Sequence, residues 1–254
     1  WLRTRLPADS PPDLGAVGAR LADLGITAVT DATPELNDAA IAAIADAVGR
    51  GVLPQRVHLL GAPLDAELPS GLTAGPYKIV LADSGLPSLD ELTERIRAAH
   101  TAGRAVAVHC VTREALVLAL AALDEAGHHL GDRIEHAAVV PRELIAELAR
   151  RRLRVVTQPG FLAHRGDDYL REVPEVDRAD LYRCRSLVDA GVPLALSSDA
   201  PYGPLDPWSV LTAAVQRRTP SGAVVGPTER LTVQQALRGY LSPLSDPGGA
   251  PRRV

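Results

Sequence analysis

Residues 105–158, AVAVHCVTREALVLALAALDEAGHHLGDRIEHAAVVPRELIAELARRRLRVVTQ, alternate short apolar runs with amphipathic stretches. Each predicted strand is four or five residues long and contains valine or isoleucine, the β-branched residues that favour strands. The stretches between them repeat apolar residues at helical spacing. Strands that alternate with helices in this way are typical of βα units around a parallel sheet. The predicted elements are strands at Ala105–His109, Arg133–His136 and Arg154–Gln158, and helices over Arg113–Asp124 and Arg142–Arg151.

The same alternation continues on both sides of this stretch. Ser88 and Glu91 form a capping-box motif, which predicts that a helix begins at residue 89. The polar segment 160–177 is predicted to be a loop. Seven strands are predicted in total, one fewer than in a closed barrel. We therefore expect one α/β domain over residues 1–254, a TIM-type (β/α)8 barrel that lacks one strand. The further elements are helices 12–24, 36–48, 89–100 and 179–190, and strands Ile26–Thr30, Arg56–Leu60, Tyr77–Leu81 and Pro193–Asp199.

Composition narrows the class of protein. Hydrophobic residues make up 46% of the 254 residues and charged residues 23%, an ordinary balance for a globular domain. The net charge of -4 gives no basis for nucleic-acid binding, which needs a clustered basic surface. Nothing resembles a membrane span or a secretory signal, so no membrane partner is expected. The only cysteines, Cys110 and Cys184, are too few for a disulfide framework, which fits a cytoplasmic protein.

Two oddities of composition bear on function. The chain begins at Trp1 and contains no methionine, so we expect it to be part of a longer or processed protein. Lys78 is its only lysine, whereas the other Lys/Arg positions all carry arginine. An amine can lose its proton and react, but a guanidinium stays protonated. We therefore expect Lys78 to be kept for lysine chemistry rather than as a chance surface residue.

Polar side chains lie where the predicted strands end. His109, His136, Gln158 and Asp199 each close a strand, and Lys78 lies within another. In parallel α/β barrels the strand ends meet at the mouth, where reacting groups are placed. Two imidazoles and a carboxylate at neighbouring strand ends suit a cation such as Zn²⁺, and the carboxylate can also take a proton from water. The pattern predicts a metal site.

The remaining histidines and Cys110 are interpreted as structural. His58 lies inside a strand, and His100 lies near a helix C-terminus, where a positive charge is favoured. Cys110 follows His109 and points to the opposite face of the strand, so a Cys–His nucleophile is not expected. The loop residues His128, His129 and His164 are expected to be solvated.

The order of these residues resembles the amidohydrolase superfamily, and in particular the branch that includes N-substituted formamide deformylases, amidohydrolase family 3. The resemblance extends from about residue 25 to residue 240. The motifs that carry it are RIEHA at 133–137, VTQP at 156–159, SSDAP at 197–201, DPW at 206–208, AAV at 213–215 and QAL at 235–237.

The resemblance implies a metal-dependent hydrolase barrel with Lys78, His109, His136 and Asp199 as its metal-site residues. Lys78 corresponds to a lysine that can carry a CO2-derived carbamate and bridge two metals. His109 and His136 correspond to imidazole ligands, and Asp199 corresponds to a metal ligand that is also the general acid and base. One or two divalent ions are implied, with zinc as the expected metal.

The sequence departs from the family pattern in three places. The first barrel strand of the family carries a His-X-His pair that does not occur here, so strand 1 is expected to be missing from this chain. The flanking β-sandwich is also not expected. The usual Gly-Asp after the strand-five histidine is replaced by residues 110–113, Cys-Val-Thr-Arg.

We expect hydrolysis of a non-peptide C–N bond, in an amide or formamide, by metal-activated water. A small molecule is the expected substrate, and an unpaired strand edge leaves room for a homo-oligomer. Two alternatives remain open. One is a non-catalytic truncated barrel that binds a small ligand or a partner. The other is an aldolase-like barrel with Lys78 as a Schiff base, which requires a lysine of lowered pKa.

Overall fold

A computed structural model describes residues 12–82 and 85–250 as parallel strands that alternate with helices. The strands are Ala28–Asp31 (β1), Arg56–Leu59 (β2), Leu72–Ala74 (β3), Tyr77–Val80 (β4), Val106–Cys110 (β5), Arg133–His136 (β6), Arg154–Thr157 (β7) and Leu194–Leu196 (β8). The helices are Leu14–Asp23 (α1), Asp38–Gly49 (α2), Leu89–Thr101 (α3), Arg113–Ala126 (α4), Arg142–Arg150 (α5), Gly160–Glu172 (α6), Glu175–Arg178 (α7), Cys184–Asp189 (α8), Pro207–Gln216 (α9) and Val233–Tyr240 (α10). None of the described helices is long and apolar enough to cross a membrane.

β3 and β4 are two halves of one bent strand. β3 pairs in parallel with β2, and β4 pairs in parallel with β5. At the bend, the amides of Gly75 and Lys78 donate to the carbonyls of Leu59 and Leu60, which keeps β2 hydrogen-bonded to both halves. Arg104 donates to the carbonyls of Gly75 and Leu60 and so fixes the bend. The result is a continuous series of seven parallel strands.

The seven predicted strands are confirmed, since each overlaps β1, β2 or one of β4 to β8. β3 was not predicted, because the Gly75-Pro76 pair interrupts the apolar pattern of the bent strand. Within the described residues, β1 and β8 pair with a strand on one side only. That is the arrangement expected of a TIM-type barrel from which one strand is missing.

Alternation along the strands divides the side chains between two faces. Ile79, Val108 and Ile134 point towards the helices and are fully buried in the larger hydrophobic cluster. Burying such a side chain stabilises the fold by about 1.5–3 kcal/mol. Because a strand repeats every two residues, Lys78 and His109 lie on the opposite face, inside the barrel. The core therefore fixes which side chains reach the mouth.

Two predicted segments differ in the structure. Residues 160–177 form α6 and α7 rather than a loop, because Phe161 and Leu162 are buried against the core while polar residues occupy the outer side. The helix predicted over 179–190 begins only at Cys184. The preceding segment pairs with residues 138–140 instead, and Tyr182 has a φ of 46°. Tertiary pairing there overrides helical propensity. Helices α9 and α10 are additional to the predicted helices.

His58 is buried on the inner side of β2. Its Nδ1 lies 2.8 Å from the Thr73 hydroxyl, which itself donates to the Val57 carbonyl, so the imidazole is the donor in the first contact. A Cβ at Gly75 would lie 2.6 Å from His58 Nε2, so the backbone packs directly against this nitrogen. Burial is the main cause that lowers the pKa of His58 to about 4.

We expect His58 to make the fold less stable as the pH falls from 6.5 to 4. In this window the unfolded imidazole binds a proton and the folded one does not, so stability decreases with falling pH. The loss from this group is about 3 kcal/mol at pH 4. Urea denaturation at pH 7 and pH 4 should show a smaller acid destabilisation for His58→Gln. An equal loss in both proteins would contradict the assignment.

Candidate active site

The inner face of β4, β5 and β6 gathers basic and acidic side chains. The strand register pairs His109 with Glu135. One layer nearer the N-terminal ends of the strands, Lys78 pairs with Ala107, and Ala107 pairs with Arg133. The predicted neighbours Lys78 and His109 therefore lie on adjacent strands of one face.

His136 reaches this face through a break in β6. Its register partner is Cys110, which lies in the hydrophobic core, so ordinary alternation would direct His136 away from the mouth. Instead His136 has a φ of 69° and Ala137 a φ of 45°. Non-glycine residues rarely adopt this left-handed conformation, and it tends to occur at functional sites. The His136 ring meets the His109 ring edge-on, with the ring centroids 4.3 Å apart.

The segment after this turn is held by a second stretch of chain. Val139 forms an antiparallel bridge with Leu181, and the Tyr182 amide donates to the Ala138 carbonyl at 2.8 Å. Arg217 is fully buried and donates to the carbonyls of Leu181 and Tyr182, at 2.8 Å each. Residues distant in sequence thus support the backbone that orients His136.

Lys78 and Asp199 each affect the pKa of the other. Burial is the largest cause for both groups. It lowers the pKa of Lys78, against the carboxylates of Glu135 and Asp199, which raise it. It raises the pKa of Asp199 to about 6, against the Lys78 charge, which lowers it. A carboxyl group that titrates near pH 6 can take up and return a proton close to neutral pH.

His136 is neutral at physiological pH. Burial and the nearby His109 and Lys78 lower its pKa to about 3, while Glu135 and the side-chain amide of Gln158 oppose that change. A neutral imidazole keeps a nitrogen lone pair available for a metal ion.

A buried ion pair lies beside the predicted residues, and the sequence analysis missed it. Arg133 Nε donates to Glu135 Oε1 at 2.6 Å, and their side chains are 3% and 5% exposed. Burial alone would raise the pKa of Glu135, but the charges of Arg133 and Lys78 lower it. The signal was present in the sequence, because charged residues two apart in an otherwise apolar strand share its inner face.

Comparison with known proteins identifies the family. A sequence model described as "Amidohydrolase family" matches residues 11–240. The chain belongs to the amidohydrolase family. This confirms the resemblance carried by the strand-end motifs.

Three similar proteins cover this amidohydrolase chain to different extents. It is 32% identical over 109 residues to the N-substituted formamide deformylase of Arthrobacter pascens, a match that covers 42% of the chain and 20% of that enzyme. It is 29% identical over 180 residues to YtcJ of Bacillus subtilis (strain 168), whose name assigns it to the amidohydrolases, with 67% of the chain and 34% of YtcJ covered. An uncharacterized metal-dependent hydrolase from Pyrococcus horikoshii OT3 has a similar structure, with a TM-score of 0.77 and 25% identity.

That structural match covers 89% of this chain and 52% of the Pyrococcus protein. The amidohydrolase chain therefore spans about half the length of this relative, and less of the other two. Within that part, the α/β architecture with parallel strands is the amidohydrolase type of TIM barrel, as predicted.

The four predicted site residues share the mouth of the barrel. Lys78 lies within β4, His109 is the last residue but one of β5, His136 ends β6, and Asp199 lies beyond the end of β8. The rings of His109 and His136 are in contact, and the charge of Lys78 acts on both His136 and Asp199. Their roles as ligands and acid–base group stay predictions. Within residues 12–82 and 85–250, no group of three or more His, Cys, Asp or Glu side chains is placed to hold a metal ion.

The donor chemistry nevertheless fits a divalent cation. His109 and His136 are in ring contact, and imidazole nitrogen is a preferred zinc ligand. Lys78 is buried beside them with a lowered pKa, and as a carbamate it would add an anionic oxygen. A carbamate would not count among His, Cys, Asp and Glu, so the absence of a three-residue group and this donor set are compatible.

The residues interpreted as structural have structural partners. His100 Nε2 lies 3.0 Å from Asp132 Oδ1, and Cys110 is buried in the core, where burial raises its thiol pKa. His128 lies 3.3 Å from Asp124. His164 is exposed, as expected, but on α6 rather than on a loop.

Proposed function

We propose that this chain forms the catalytic mouth of a metal-dependent hydrolase that cleaves a non-peptide C–N bond in a small amide or formamide. The observation that carries the proposal is the edge-on contact of the His109 and His136 rings beside Lys78 and Asp199. The partial match to an N-substituted formamide deformylase favours formamides among the amides. The match to a metal-dependent hydrolase structure favours a metal-assisted reaction.

In this proposal Asp199 moves the proton of the reaction. Its carboxylate takes a proton from the water that attacks the substrate carbonyl carbon. It then returns that proton to the nitrogen as the C–N bond breaks. The products are a carboxylic acid, or formic acid from a formamide, and a free amine. A pKa near 6 suits both steps near neutral pH, because the group is then neither a very weak base nor a very weak acid.

Lys78, His109 and His136 would hold the metal. The lowered pKa of Lys78 favours a neutral amine, which can add CO2 to give a carbamate and one released proton. A zinc ion held by these groups would lower the pKa of water from about 15.7 towards 7 and polarise the carbonyl. A Schiff-base role for Lys78 would use the same lowered pKa but would leave the paired imidazoles without a role.

Metal content tests this proposal directly. The chain, reconstituted with zinc and bicarbonate, should retain about one or more equivalents of zinc, measured by mass spectrometry. His136→Ala should lose most of that metal because it removes an imidazole ligand. The matched control is His164→Ala, which removes an exposed histidine of α6 and should retain the metal. Retention by His136→Ala equal to that of the control would contradict the site assignment.

A non-catalytic, ligand-binding barrel is the second candidate. It is favoured by the absence, within the described part of the chain, of a three-residue group of His, Cys, Asp or Glu. This second candidate would be supported over hydrolysis by two results together. The folded chain would retain no zinc above background after reconstitution, and it would release no amine from formamides or amides.

A further inference from the structure

Gln158 carries a buried oxygen without a standard hydrogen bond. The residue follows β7 on the inner face of the barrel, and it is 2% exposed. Its Oε1 has no hydrogen-bond partner among the described protein atoms. A buried polar atom left unpaired costs free energy, so we expect a donor to pair with this oxygen in the working protein.

The amide orientation is fixed by its nitrogen. Gln158 Nε2 donates to Ser197 Oγ at 2.9 Å and lies 3.4 Å from the Val156 carbonyl. A carbonyl oxygen only accepts hydrogen bonds, so the nitrogen must occupy this side and the oxygen the other. Oε1 is therefore held in place rather than free to rotate towards Ser197.

The oxygen is directed at a donor of the candidate metal site. β6 and β7 are adjacent strands in which Glu135 pairs with Val156, so Gln158, two residues beyond Val156, lies beside His136 at the end of β6. The Gln158 side chain also raises the pKa of His136, as an oxygen that accepts from the ring would do, although the contact does not reach standard hydrogen-bond geometry. Histidines that bind metals usually donate their second ring N–H to an oxygen, which fixes the tautomer and the ring orientation. Gln158 is placed to be that oxygen for His136.

We propose that Gln158 is a positioning residue that accepts the ring N–H of His136 and thereby fixes the tautomer that binds metal. This inference rests on the proposed metal site. The backbone turn at His136 and Ala137 aims the ring, and the Gln158 oxygen selects which nitrogen keeps the proton. Gln158 Oε1 would then gain its hydrogen-bond donor when the His136 ring binds the metal ion.

Zinc affinity of the metal-free chain, measured by competition with a chromophoric chelator, tests the proposal. Gln158→Leu should weaken zinc binding about 10- to 100-fold, the usual effect of removing the partner of a metal-bound histidine. Gln158→Glu keeps an acceptor oxygen and should restore most of the affinity. Gln158→Asn withdraws the oxygen by one methylene group and should also bind weakly. Ring ¹⁵N shifts of His136 should show one tautomer in the zinc-loaded chain and a mixture in Gln158→Leu.

Thr157→Val is the matched control. The Thr157 hydroxyl is also buried without a hydrogen-bond partner in the described part of the chain, but Thr157 is the residue before Gln158 and lies on the opposite face of β7. This variant should bind zinc as the unchanged chain does. Equal affinity in the unchanged chain, Gln158→Leu and Gln158→Asn would overturn the role of Gln158 while leaving the metal site intact. No zinc binding by the unchanged chain would overturn the metal site and the role of Gln158 together.

Discussion

Asp199→Asn is expected to reduce turnover of a formamide or amide by about 10²- to 10⁴-fold, the range that general acid–base catalysis contributes. Asparagine keeps nearly the same shape, but it can neither take the proton of the attacking water nor return it to the amine. Asp199 lies beyond β8 with a φ of 54°, a left-handed backbone conformation that asparagine also tolerates. The substitution should therefore leave the fold intact.

The control for this prediction is Asp189→Asn. Asp189 is an exposed residue of α8 that pairs with Arg185, so the same chemical change there should leave turnover unaffected. Amine release should be measured with both variants after reconstitution with zinc and bicarbonate, and circular dichroism should confirm that both are folded. Turnover by Asp199→Asn equal to that of Asp189→Asn would refute the acid–base assignment.

The parts of the site that follow strand periodicity were predictable from the sequence. Lys78 and His109 lie on the inner face because Ile79 and Val108 occupy the buried outer face of the same strands. A period of two fixes that division without knowledge of the tertiary structure. The interpretation of Cys110 as a core residue succeeded for the same reason.

His136 shows where periodicity stops being sufficient. Alternation alone would direct its side chain towards the helices, together with Cys110. Its position at the mouth depends on left-handed backbone at His136 and Ala137, a conformation that is uncommon for non-glycine residues and that no local sequence pattern predicts here. The strand-end pattern and the family motif both placed His136 in the site, whereas alternation along the strand would not have done so.

Contacts between residues distant in sequence could not be predicted either. The helix predicted over 179–190 loses its first turns because residues 180–182 pair with residues 138–140. The partner segments are about forty residues apart, and no local pattern links them. Arg217 was passed over for a similar reason, since an arginine near the end of a helix ordinarily lies in solvent.

Arg217→Leu is expected to lower the free energy of unfolding by about 3–5 kcal/mol, because it removes three hydrogen bonds from a charged donor, each of which contributes about 1.5–3 kcal/mol before the gain from burying leucine is subtracted. The Arg217 guanidinium is fully buried and donates to three carbonyls, those of Leu181, Tyr182 and Val225. Leucine would remove all three hydrogen bonds, and only the Tyr182 carbonyl would keep another donor, the Cys184 amide, among the described residues. Buried acceptors left without donors are costly. Urea denaturation at pH 7 measures the change.

Arg218→Leu is the matched control, because the neighbouring arginine is exposed and donates only to the Gly222 carbonyl among the described residues. Its effect should stay within about 0.5 kcal/mol. Equal stability of the two variants would contradict a supporting role for Arg217. Since the carbonyls of Leu181 and Tyr182 belong to the segment that pairs behind His136, Arg217→Leu should also weaken zinc binding, whereas Arg218→Leu should not. Loss of stability without loss of zinc affinity would show that Arg217 holds the fold but does not position the site.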